Sequence, residues 1–310
     1  MLPAMDGDGA VVVGGEALVD LVLAPDGELR GHSGGGPFNT ARALGRLEQP
    51  VLFLGRLSSD RFGRRMRAEL EEDGVRLDAV VDTDDPTTLA VAEIDAAGAA
   101  SYRFYTEGTS APGLTPETAR AALPDDVAML HVGTLGLVLE PMATALADLA
   151  ERAAGRALVM VDPNVRPVLI GDRLGYRARL AAVLRHTDVV KASDDDLAWL
   201  EPDSGPADAA RSLLADGPSV ALVTRGSKGA LVVTADYEVE VAAPPVAVVD
   251  TIGAGDSFSG GFLAYLRMRG LGSEALDDRS AVTDAASFAC RVAALTCARP
   301  GASPPRLSEL

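Results

Sequence analysis

Aromatic side chains and cysteines are scarce in this chain of 310 residues. Only 4% of the residues are aromatic whereas 47% are hydrophobic, so the core must consist mainly of alanine, valine and leucine. Cys290 and Cys297 stand seven positions apart in a predicted helix and match no metal-ligand spacing. Two such cysteines form no disulfide framework, which favours a reducing compartment, the cytoplasm.

Positive charge is also in short supply, because 28 lysines and arginines face 45 aspartates and glutamates, giving a net charge of −17. This balance argues against nucleic acid or an anionic membrane surface as a partner. A phosphate-bearing ligand would have to be neutralised locally, by a metal ion and backbone donors. No apolar run approaches transmembrane length, and the start, MLPAMDGDGA, predicts no secretory signal peptide.

Two nucleotide-binding motifs are absent from the sequence. It contains neither GxxxxGK[ST] nor GxGxxG, which excludes a Walker-type ATPase and a dinucleotide-dependent oxidoreductase. Apolar runs alternate with amphipathic stretches, which predicts an α/β fold with a mostly parallel sheet flanked by helices. The strands are predicted at residues 11–13, 51–54, 129–132, 158–161, 189–191 and 220–224. The helices are predicted at residues 39–47, 61–72, 141–154, 174–185 and 207–215.

One part of the chain breaks this alternation. Residues 89–94 and 101–105 are strand-like and are joined by Asp95-Ala96-Ala97-Gly98, a hairpin turn sequence. Together with residues 18–23 and 28–32 they predict a small separate sheet. The alternative is an ordinary antiparallel edge on the main sheet.

The segment at residues 250–261, DTIGAGDSFSGG, is the most informative in the chain. It follows an apolar run at 246–249 that predicts a buried strand, and it leads into a predicted helix at 257–266. Gly253 and Gly255 allow the backbone to turn tightly, so that several N–H groups converge at the helix N-terminus. Such a terminus binds anions, and a phosphate is the obvious guest.

Asp256 is then out of place, because a carboxylate beside an anion site repels the anion unless it has a chemical role. We interpret it as a general base that takes a hydroxyl proton while the amides of Gly253, Ala254 and Gly255 hold the transferring phosphoryl group. The alternative is a helix simply capped by Asp256 after a glycine turn.

This string resembles the C-terminal signature of the ribokinase/PfkB carbohydrate kinases, with Asp256 in the catalytic-base position. The string SGGGPFNTA at residues 33–41 resembles the N-terminal signature, and the likeness extends from Gly14 to Ala302 in family order. It implies a ribokinase-like three-layer α/β/α sandwich, a single domain over 1–310 with a small β-sheet lid from about 15–33 and 87–107. In that family the lid covers the sugar and often mediates dimerisation, so a homodimer through the lid and a monomer both stay open.

On the sugar side, the glycines after the first strand predict that Asp20 lies in a loop. Carboxylates and amides bind polyols because each can pair with two adjacent hydroxyls. Asp20 resembles the family's sugar-binding aspartate; the alternative is a solvent-facing turn residue. The resemblance also places Gly35, Gly36 and Asn39 at the sugar, with the Asn39 amide presented to it.

Two arginines are further candidates for substrate contacts. Arg103 lies on the lid hairpin, and Arg166 follows in DPNVRP, which resembles a stretch of fructokinases and 2-keto-3-deoxygluconate kinases. Arg166 would hold the substrate or the γ-phosphate. An arginine at a helix start, paired with Asp162, is an equal alternative.

On the nucleotide side, the segment that begins at Lys191 occupies the place of a family motif usually written N-x-x-E, and it departs from it in having Ser193 and Asp196 at those positions. The resemblance implies that Asp196 acts on Mg²⁺, through water because magnesium keeps most of its hydration shell. The alternative, which is compatible with this role, is an acidic helix N-terminus with Ser193 as N-cap.

The resemblance implies three further elements of an ATP site. Thr224, Gly226 and Gly229 match a phosphate-contacting loop, to which Gly255 adds a backbone donor; a plain hairpin turn is the alternative. A late helix at 285–298 resembles the adenine-side wall. Asp250 and Gly301 are candidate ligands of a monovalent cation such as K⁺.

The combined interpretation is an ATP-dependent sugar kinase that binds a small sugar, ATP and Mg²⁺. Fructose is the favoured substrate, because GEALVDLV and SYRFYTEGTSA resemble fructokinase segments. The alternative is 2-keto-3-deoxygluconate, although Glu107 stands where kinases of acid sugars tend to carry arginine and would repel a carboxylate. Ribose and nucleosides rank lower. A hypothesis of another class is a sugar-sensing protein without turnover, against which the intact Asp256 argues.

Overall fold

The computed structural model describes residues 9–24, 26–94 and 100–310. The predicted turn at 95–98 and the N-terminal residues 1–8 lie outside the described residues. The strands are β1 (Ala10–Gly14), β2 (Leu18–Leu23), β3 (Leu29–Gly34), β4 (Val51–Leu54), β5 (Arg56–Ser58), β6 (Val81–Thr83), β7 (Leu89–Ile94), β8 (Ala100–Tyr105), β9 (Val127–Gly133), β10 (Leu158–Asp162), β11 (Val189–Ser193), β12 (Val220–Thr224), β13 (Ala230–Val233) and β14 (Glu238–Val241). The helices are α1 (Gly36–Arg46), α2 (Arg61–Glu72), α3 (Pro116–Ala122), α4 (Met142–Ala153), α5 (Arg173–Leu184), α6 (Asp194–Leu200), α7 (Pro206–Leu214), α8 (Ala254–Met268) and α9 (Arg279–Cys297).

A central eight-stranded sheet has the order β14-β13-β12-β11-β10-β9-β1-β4. The pairs from β4 to β12 are parallel, and the last two, β12–β13 and β13–β14, are antiparallel. Apart from the antiparallel edge strand β14, the strands are valine-rich and largely buried because helices cover both faces, which is typical of parallel sheets. Helices α3 to α7 pack on one face and α1, α2, α8 and α9 on the other. The predicted three-layer α/β/α sandwich is therefore confirmed.

Most of the strands and helices predicted from the sequence are present in the structure. The strands at 51–54 and 220–224 and the helix at 61–72 have the predicted bounds. The strand predicted at 246–249 is wrong, because the segment pairs with no strand and Val248 and Val249 are 63% and 61% exposed. Pro244 and Pro245 lie directly before it, and proline cannot donate to a strand ladder. The Val249 N–H instead donates to the Cys297 carbonyl at 2.8 Å, at the end of α9.

The lid is a separate four-stranded sheet with the order β3-β2-β7-β8. Strands β2 and β7 pair in parallel, whereas β2–β3 and β7–β8 are antiparallel. The prediction of a separate sheet is confirmed, and the alternative of an edge on the main sheet is wrong. Within the part of the chain that the structure describes, no helix is long and apolar enough to cross a bilayer.

The topology gathers polar residues at one edge of the main sheet. The carboxyl ends of parallel strands share an edge, and in open α/β sheets ligands bind there. Gly14, Gly133, Asp162, Ser193 and Thr224 end β1, β9, β10, β11 and β12 at this edge. The lid follows directly from β1, so it lies over the same edge.

Candidate functional site

A cavity of about 930 Å³ lies between the carboxyl edge of the main sheet and the lid. The lid contributes alternate residues of its strands, such as Asp20 of β2, Ala90 of β7 and Phe104 of β8. The main sheet and its helices contribute the polar floor. The predicted site residues that line the cavity are Asp20, Gly35, Gly36, Asn39, Arg166, Lys191, Ser193, Asp196, Thr224, Gly253, Gly255 and Asp256.

Asp256 lies in the first turn of α8 and is buried. The helix begins at Ala254, three residues earlier than predicted, and its N-cap is Gly253 with a φ of 74°, a left-handed conformation that favours glycine. No side chain caps this helix, so the alternative that Asp256 is only a capping residue is wrong. The Asn39 amide donates to Asp256 Oδ2 at 2.8 Å, and the Thr40 hydroxyl donates to the Asp256 carbonyl at 3.3 Å.

Burial raises the pKa of Asp256 to about 6, and the nearby Asp162 raises it further. The Asn39 hydrogen bond and the charges of Lys191 and Arg166 act in the opposite direction. A base whose pKa lies near neutrality is ionised under ordinary conditions and still binds a proton well. Asp256 thus lines the cavity with a raised proton affinity, and its role as a base stays a prediction.

Lys191 supplies the positive charge of the cavity floor. Its ammonium forms a buried ion pair of 2.8 Å with Asp162 Oδ2. A Cβ atom at Gly255 would lie 2.9 Å from Lys191 Nζ, so the ammonium lies against the first turn of α8. That turn has N–H groups without intrahelical acceptors, and the Ala254 N–H donates weakly, at 3.3 Å, to the Thr251 carbonyl. A cation beside a helix N-terminus is an arrangement that binds phosphate.

The start of α1 requires both of its glycines. Gly35 has a φ of 105°, and a Cβ there would lie 2.6 Å from the Glu16 carbonyl oxygen. A Cβ at Gly36 would lie 2.4 Å from Thr134 Cγ2 and 3.3 Å from Asp256 Oδ1. Asn39 follows in the next turn, and its Oδ1 is buried without a hydrogen-bond partner. Asn39 lines the cavity, and this oxygen can accept a hydrogen bond.

The prediction that Asp20 lies in a loop is wrong, and so is the alternative of a solvent-facing turn. Asp20 lies within β2, where a Cβ on Gly34 would be 2.1 Å from its Oδ2. Burial raises the pKa of Asp20 to about 6, while the charges of Arg166 and His32 oppose this shift. The carboxyl group faces the cavity from the lid, as a sugar-binding role requires.

Arg166 faces the same cavity from the loop after β10. Its guanidinium donates to the carbonyl of Asn164 at 3.1 Å and to its side-chain oxygen at 2.6 Å. Its hydrogen bonds are to this loop, and the alternative of an ion pair with Asp162 is wrong, because Asp162 pairs with Lys191 instead.

Arg103 does not reach the cavity. It lies in β8 between Tyr102 and Phe104, which line the cavity, and it is exposed. Successive side chains of a strand point to opposite faces, so Arg103 lies on the outer face of the lid. Arg103 therefore does not line the cavity in this arrangement, and its contact with the substrate stays a prediction.

Asp196 closes a capping box at the start of α6. Its Oδ2 accepts from the Ser193 N–H at 2.8 Å and from the Ser193 hydroxyl at 2.6 Å, and its Oδ1 accepts from the Val165 N–H at 2.6 Å. The acidic helix N-terminus is thus present. Among the described residues no three His, Cys, Asp or Glu side chains form a metal cluster. A magnesium ion here would take most of its ligands from water and phosphate oxygens, and the role of Asp196 on it stays a prediction.

The segment from β12 to β13 forms a strand, a tight turn and an antiparallel strand, as predicted. Gly229 is required by packing, because a Cβ there would lie 2.0 Å from the Val241 carbonyl oxygen. Gly226 has a φ of 54° and no atom within 4 Å of the space that a Cβ would fill. Thr224 lines the cavity beside Ser193. The backbone is therefore that of the plain hairpin alternative, and a role in nucleotide binding is compatible with it.

Asp250 and Gly301 are in direct contact. The Gly301 N–H donates to Asp250 Oδ2 at 2.9 Å, and the Ile252 N–H donates to Oδ1 at 3.0 Å. The two candidate ligands of a monovalent cation are thus adjacent, and the cation itself stays a prediction. The helix before Gly301, α9, begins at Arg279, earlier than the predicted 285.

Two residues of the site, Glu16 and Thr134, were not predicted from the sequence. Glu16 is buried at the end of β1, and burial raises its pKa to about 7. Its position directly after two glycines, in a string otherwise apolar up to Asp20, was an available signal. Thr134 has a φ of 55°, which is unusual for a β-branched residue, and nothing in the sequence marks it.

The raised pKa values of Asp256 and Glu16 predict how the contribution of these two groups to stability depends on pH. Asp256 and Glu16 bind a proton more tightly in the folded protein than in the unfolded chain, where their ordinary pKa values are 3.8 and 4.5. Their contribution to the free energy of unfolding is therefore full below pH about 4 and is lost as the pH rises through about 6 to 7. Urea unfolding should show that Asp256→Asn is more stable than the wild type by about 2–3 kcal/mol at pH about 8 but not at pH about 4. A stability difference that does not change with pH would contradict the raised pKa of Asp256.

The chain matches a family model over almost its whole length. Residues 9–309 match the model of the pfkB family carbohydrate kinases. A fructokinase of Rhizobium leguminosarum bv. trifolii is 36% identical over 265 residues, which cover 83% of this chain and 79% of the relative.

Solved structures have the same architecture. The structure of a fructokinase from Xylella fastidiosa with bound ATP matches with a TM-score of 0.89 and 30% identity, over 97% of this chain and 96% of that one. A fructokinase from Vibrio cholerae O395 in its fructose-, ADP- and calcium-bound form matches with a TM-score of 0.80 and 27% identity, over 96% of this chain and 95% of that one. The chain therefore belongs to the pfkB family and is a fructokinase-like, ATP-dependent carbohydrate kinase.

Proposed function

We propose that this kinase phosphorylates fructose at the expense of ATP, with Asp256 as the general base. The observation that carries the proposal is the buried Asp256 at the start of α8, with Lys191 close to it and a lid-covered polar cavity in front of it. The Xylella structure with ATP and the Vibrio structure with fructose and ADP support the choice of both ligands.

The roles of the residues follow from their positions. Asp256 accepts the proton of the attacking sugar hydroxyl, while Asn39 holds the carboxylate through its 2.8 Å hydrogen bond. The Lys191 ammonium and the N–H groups at the start of α8 stabilise the charge on the transferring phosphoryl group. Asp196 would hold Mg²⁺ through water, and the ion would supply positive charge that neutralises the phosphates of ATP locally.

The sugar is placed between the lid and the floor. Asp20 from β2 and the unpartnered Oδ1 of Asn39 both accept hydrogen bonds, which suits the hydroxyl groups of a neutral ketose. The small side chains of Ala90 and Ala92 leave room beneath the lid. Because the Asp20 and Asp256 carboxylates both face this space, an uncharged sugar fits better than an acid.

A second candidate, 2-keto-3-deoxygluconate, is favoured by one observation. Arg166 faces the cavity, and its guanidinium donates to oxygens of Asn164 and Val165 in its own loop, so its charge is available to a substrate carboxylate or to the γ-phosphate. ADP release from MgATP, measured with fructose, 2-keto-3-deoxygluconate, ribose, glucose and adenosine, decides between them. Turnover with fructose alone supports the proposal, and turnover only with the keto-acid would replace fructose while keeping the mechanism.

Asp20→Asn should weaken sugar binding selectively. A hydrogen bond to a charged group contributes about 1.5–3 kcal/mol, so the KM for fructose should rise about 10- to 100-fold. The KM for ATP should stay within about twofold, because Asp20 lies on the lid and not at the nucleotide. Asp203→Asn, a change at an exposed turn, is the matched control. Equal KM values for fructose in the two variants would remove Asp20 from the sugar site.

The outer face of the lid supports the homodimer implied by the family resemblance. Leu29 of β3 and Tyr105 of β8 are 58% and 51% exposed on that face. A dimer through this face would bury these apolar groups against the partner. Sedimentation velocity at micromolar protein should give the mass of a dimer, and Leu29→Glu should give that of a monomer; a monomeric wild-type protein would contradict this pairing.

A further inference from the structure

A buried carboxyl group lies at the junction between the main sheet and the lid. Glu16 follows the two glycines at the end of β1 and stands two residues before β2, and its side chain is buried. It lies close enough to Asp256 for the charge of Asp256 to act on it. A carboxyl group in such a place is costly to bury unless it has hydrogen-bond partners. Its partners therefore indicate its role.

Three donors from two other segments hold the Glu16 side chain. The Gly36 N–H donates to Oε1 at 3.2 Å, and the Thr134 hydroxyl donates to the same oxygen. The Gly136 N–H donates to Oε2 at 3.3 Å. Glu16 thus ties the β1–β2 connection to the start of α1 and to the turn after β9.

The contact with Gly36 replaces a missing helix cap. Gly36 is the first residue of α1, and the N-cap before it, Gly35, has no side chain to accept a hydrogen bond. Glu16 accepts this N–H from another part of the fold. The same helix carries Asn39 and Thr40, which bond to the side chain and the carbonyl of Asp256. The carboxyl of Glu16 is therefore one helical turn away from the contacts that orient Asp256.

The contact with Thr134 stabilises a strained residue at the same place. A β-branched residue with a φ of 55° persists only where its surroundings determine its conformation, and such residues cluster at functional sites. A Cβ atom on Gly36 would lie only 2.4 Å from the Thr134 methyl group. Glu16 and Thr134 together therefore enclose Gly36 and fix where α1 begins.

We propose that Glu16 is a positioning residue for phosphoryl transfer: by holding Gly36 and Thr134 it fixes the start of α1 and, through Asn39, the orientation of Asp256. This inference rests on the proposed role of Asp256 as the base. It also gives the lid a connection to the base, because β2, which carries Asp20, begins two residues after Glu16.

The test introduces Glu16→Gln into the wild-type protein and into Asp256→Asn. In each case kcat for ADP release is measured with saturating MgATP and fructose. Since misplacing a reacting group by about 1 Å can cost about 10²-fold, Glu16→Gln should lower kcat about 10²-fold in the wild type. In the Asp256→Asn background the same change should lower kcat by less than about twofold, because residues that act as a unit are not additive. The KM for ATP should stay within about twofold in both.

The outcomes distinguish failure of the proposed function from failure of the positioning role of Glu16. Near-normal turnover of Asp256→Asn alone would overturn the proposed function. If Asp256→Asn is impaired and Glu16→Gln lowers kcat by the same factor in both backgrounds, the proposed function stands and the positioning role falls.

A second pair of variants keeps the test open if Glu16→Gln does not fold. Thr134→Val keeps the shape but loses the hydroxyl and should lower kcat about tenfold, the equivalent of one hydrogen bond. Thr134→Ser keeps the hydroxyl and should retain a higher kcat than Thr134→Val. Equal kcat values for the two would overturn the inference.

Asp73→Asn is the control for a general loosening of α1. Asp73 pairs with Arg42 at 2.7 Å and with Arg46 at 2.9 Å, near the other end of the helix. Its loss should lower the melting temperature and leave kcat within about twofold of the wild type. A loss of kcat as large as that of Glu16→Gln would show that any loosening of α1 suffices and would overturn a specific role for Glu16.

Discussion

Asp256→Asn is expected to lower kcat for ADP release by about 10²–10⁴-fold, the usual contribution of a positioned acid–base group. The amide keeps the size of the carboxylate and can still accept the hydrogen bond from Asn39, which is 2.8 Å long in the native protein. What it cannot do is take a proton from the sugar hydroxyl. The measurement is steady-state kinetics with saturating MgATP and fructose, on protein shown by circular dichroism to be folded.

The pH profile gives an independent reading of the same residue. Because burial raises the pKa of Asp256 to about 6, the wild-type kcat/KM should fall as the pH drops below that value. The residual activity of Asp256→Asn should lose this acidic limb. Asp250→Asn, which alters a carboxylate on the other side of the same glycine turn, should retain it. An acidic limb of unchanged position in Asp256→Asn would assign the titration to another group.

Lys191→Met is expected to cause the second large effect, on stability as well as on turnover. The pKa of Lys191 is raised, since the charges of Asp162, Asp196 and Asp256 outweigh the burial that lowers it, so the ammonium stays charged. Removing one partner of a buried ion pair costs about 3–5 kcal/mol, because the other charge is left unpaired. Urea unfolding should show this loss for Lys191→Met.

A double variant separates the two effects of Lys191→Met. Adding Asp162→Asn removes the orphaned charge and should restore more than about half of the lost free energy of unfolding. It should not restore kcat, because the transferring phosphoryl group still lacks its cation. Recovery of both stability and kcat in the double variant would contradict a role for Lys191 at the phosphoryl group.

The fold was accessible from the sequence because its signals are local. Buried valine runs end in polar residues such as Asp162, Ser193 and Thr224, and strand-like segments joined by a turn sequence mark the lid. The run at 246–249 misled because apolar composition alone does not distinguish a buried strand from an extended surface segment. The prolines before it were the available warning.

The site was less accessible where tertiary contacts decide. Asp256, Lys191 and Asn39 are found by their motifs and converge on one cavity. Arg103 could have been placed correctly, because the alternation of Tyr102 and Phe104 already gives the inner face of β8. Thr134 could not, since its left-handed conformation runs against its own preference and depends on Glu16, more than a hundred residues away.

Sugar phosphorylation by this protein, with Asp256 as the base, is tested most directly by identifying the reaction product. The wild-type protein and Asp256→Asn are incubated with MgATP and fructose, and the mixtures are analysed by mass spectrometry and phosphorus NMR. One fructose monophosphate and an equal amount of ADP are expected from the wild type, and almost none from the variant. Folded wild-type protein that binds ATP and forms no fructose phosphate would contradict this expectation.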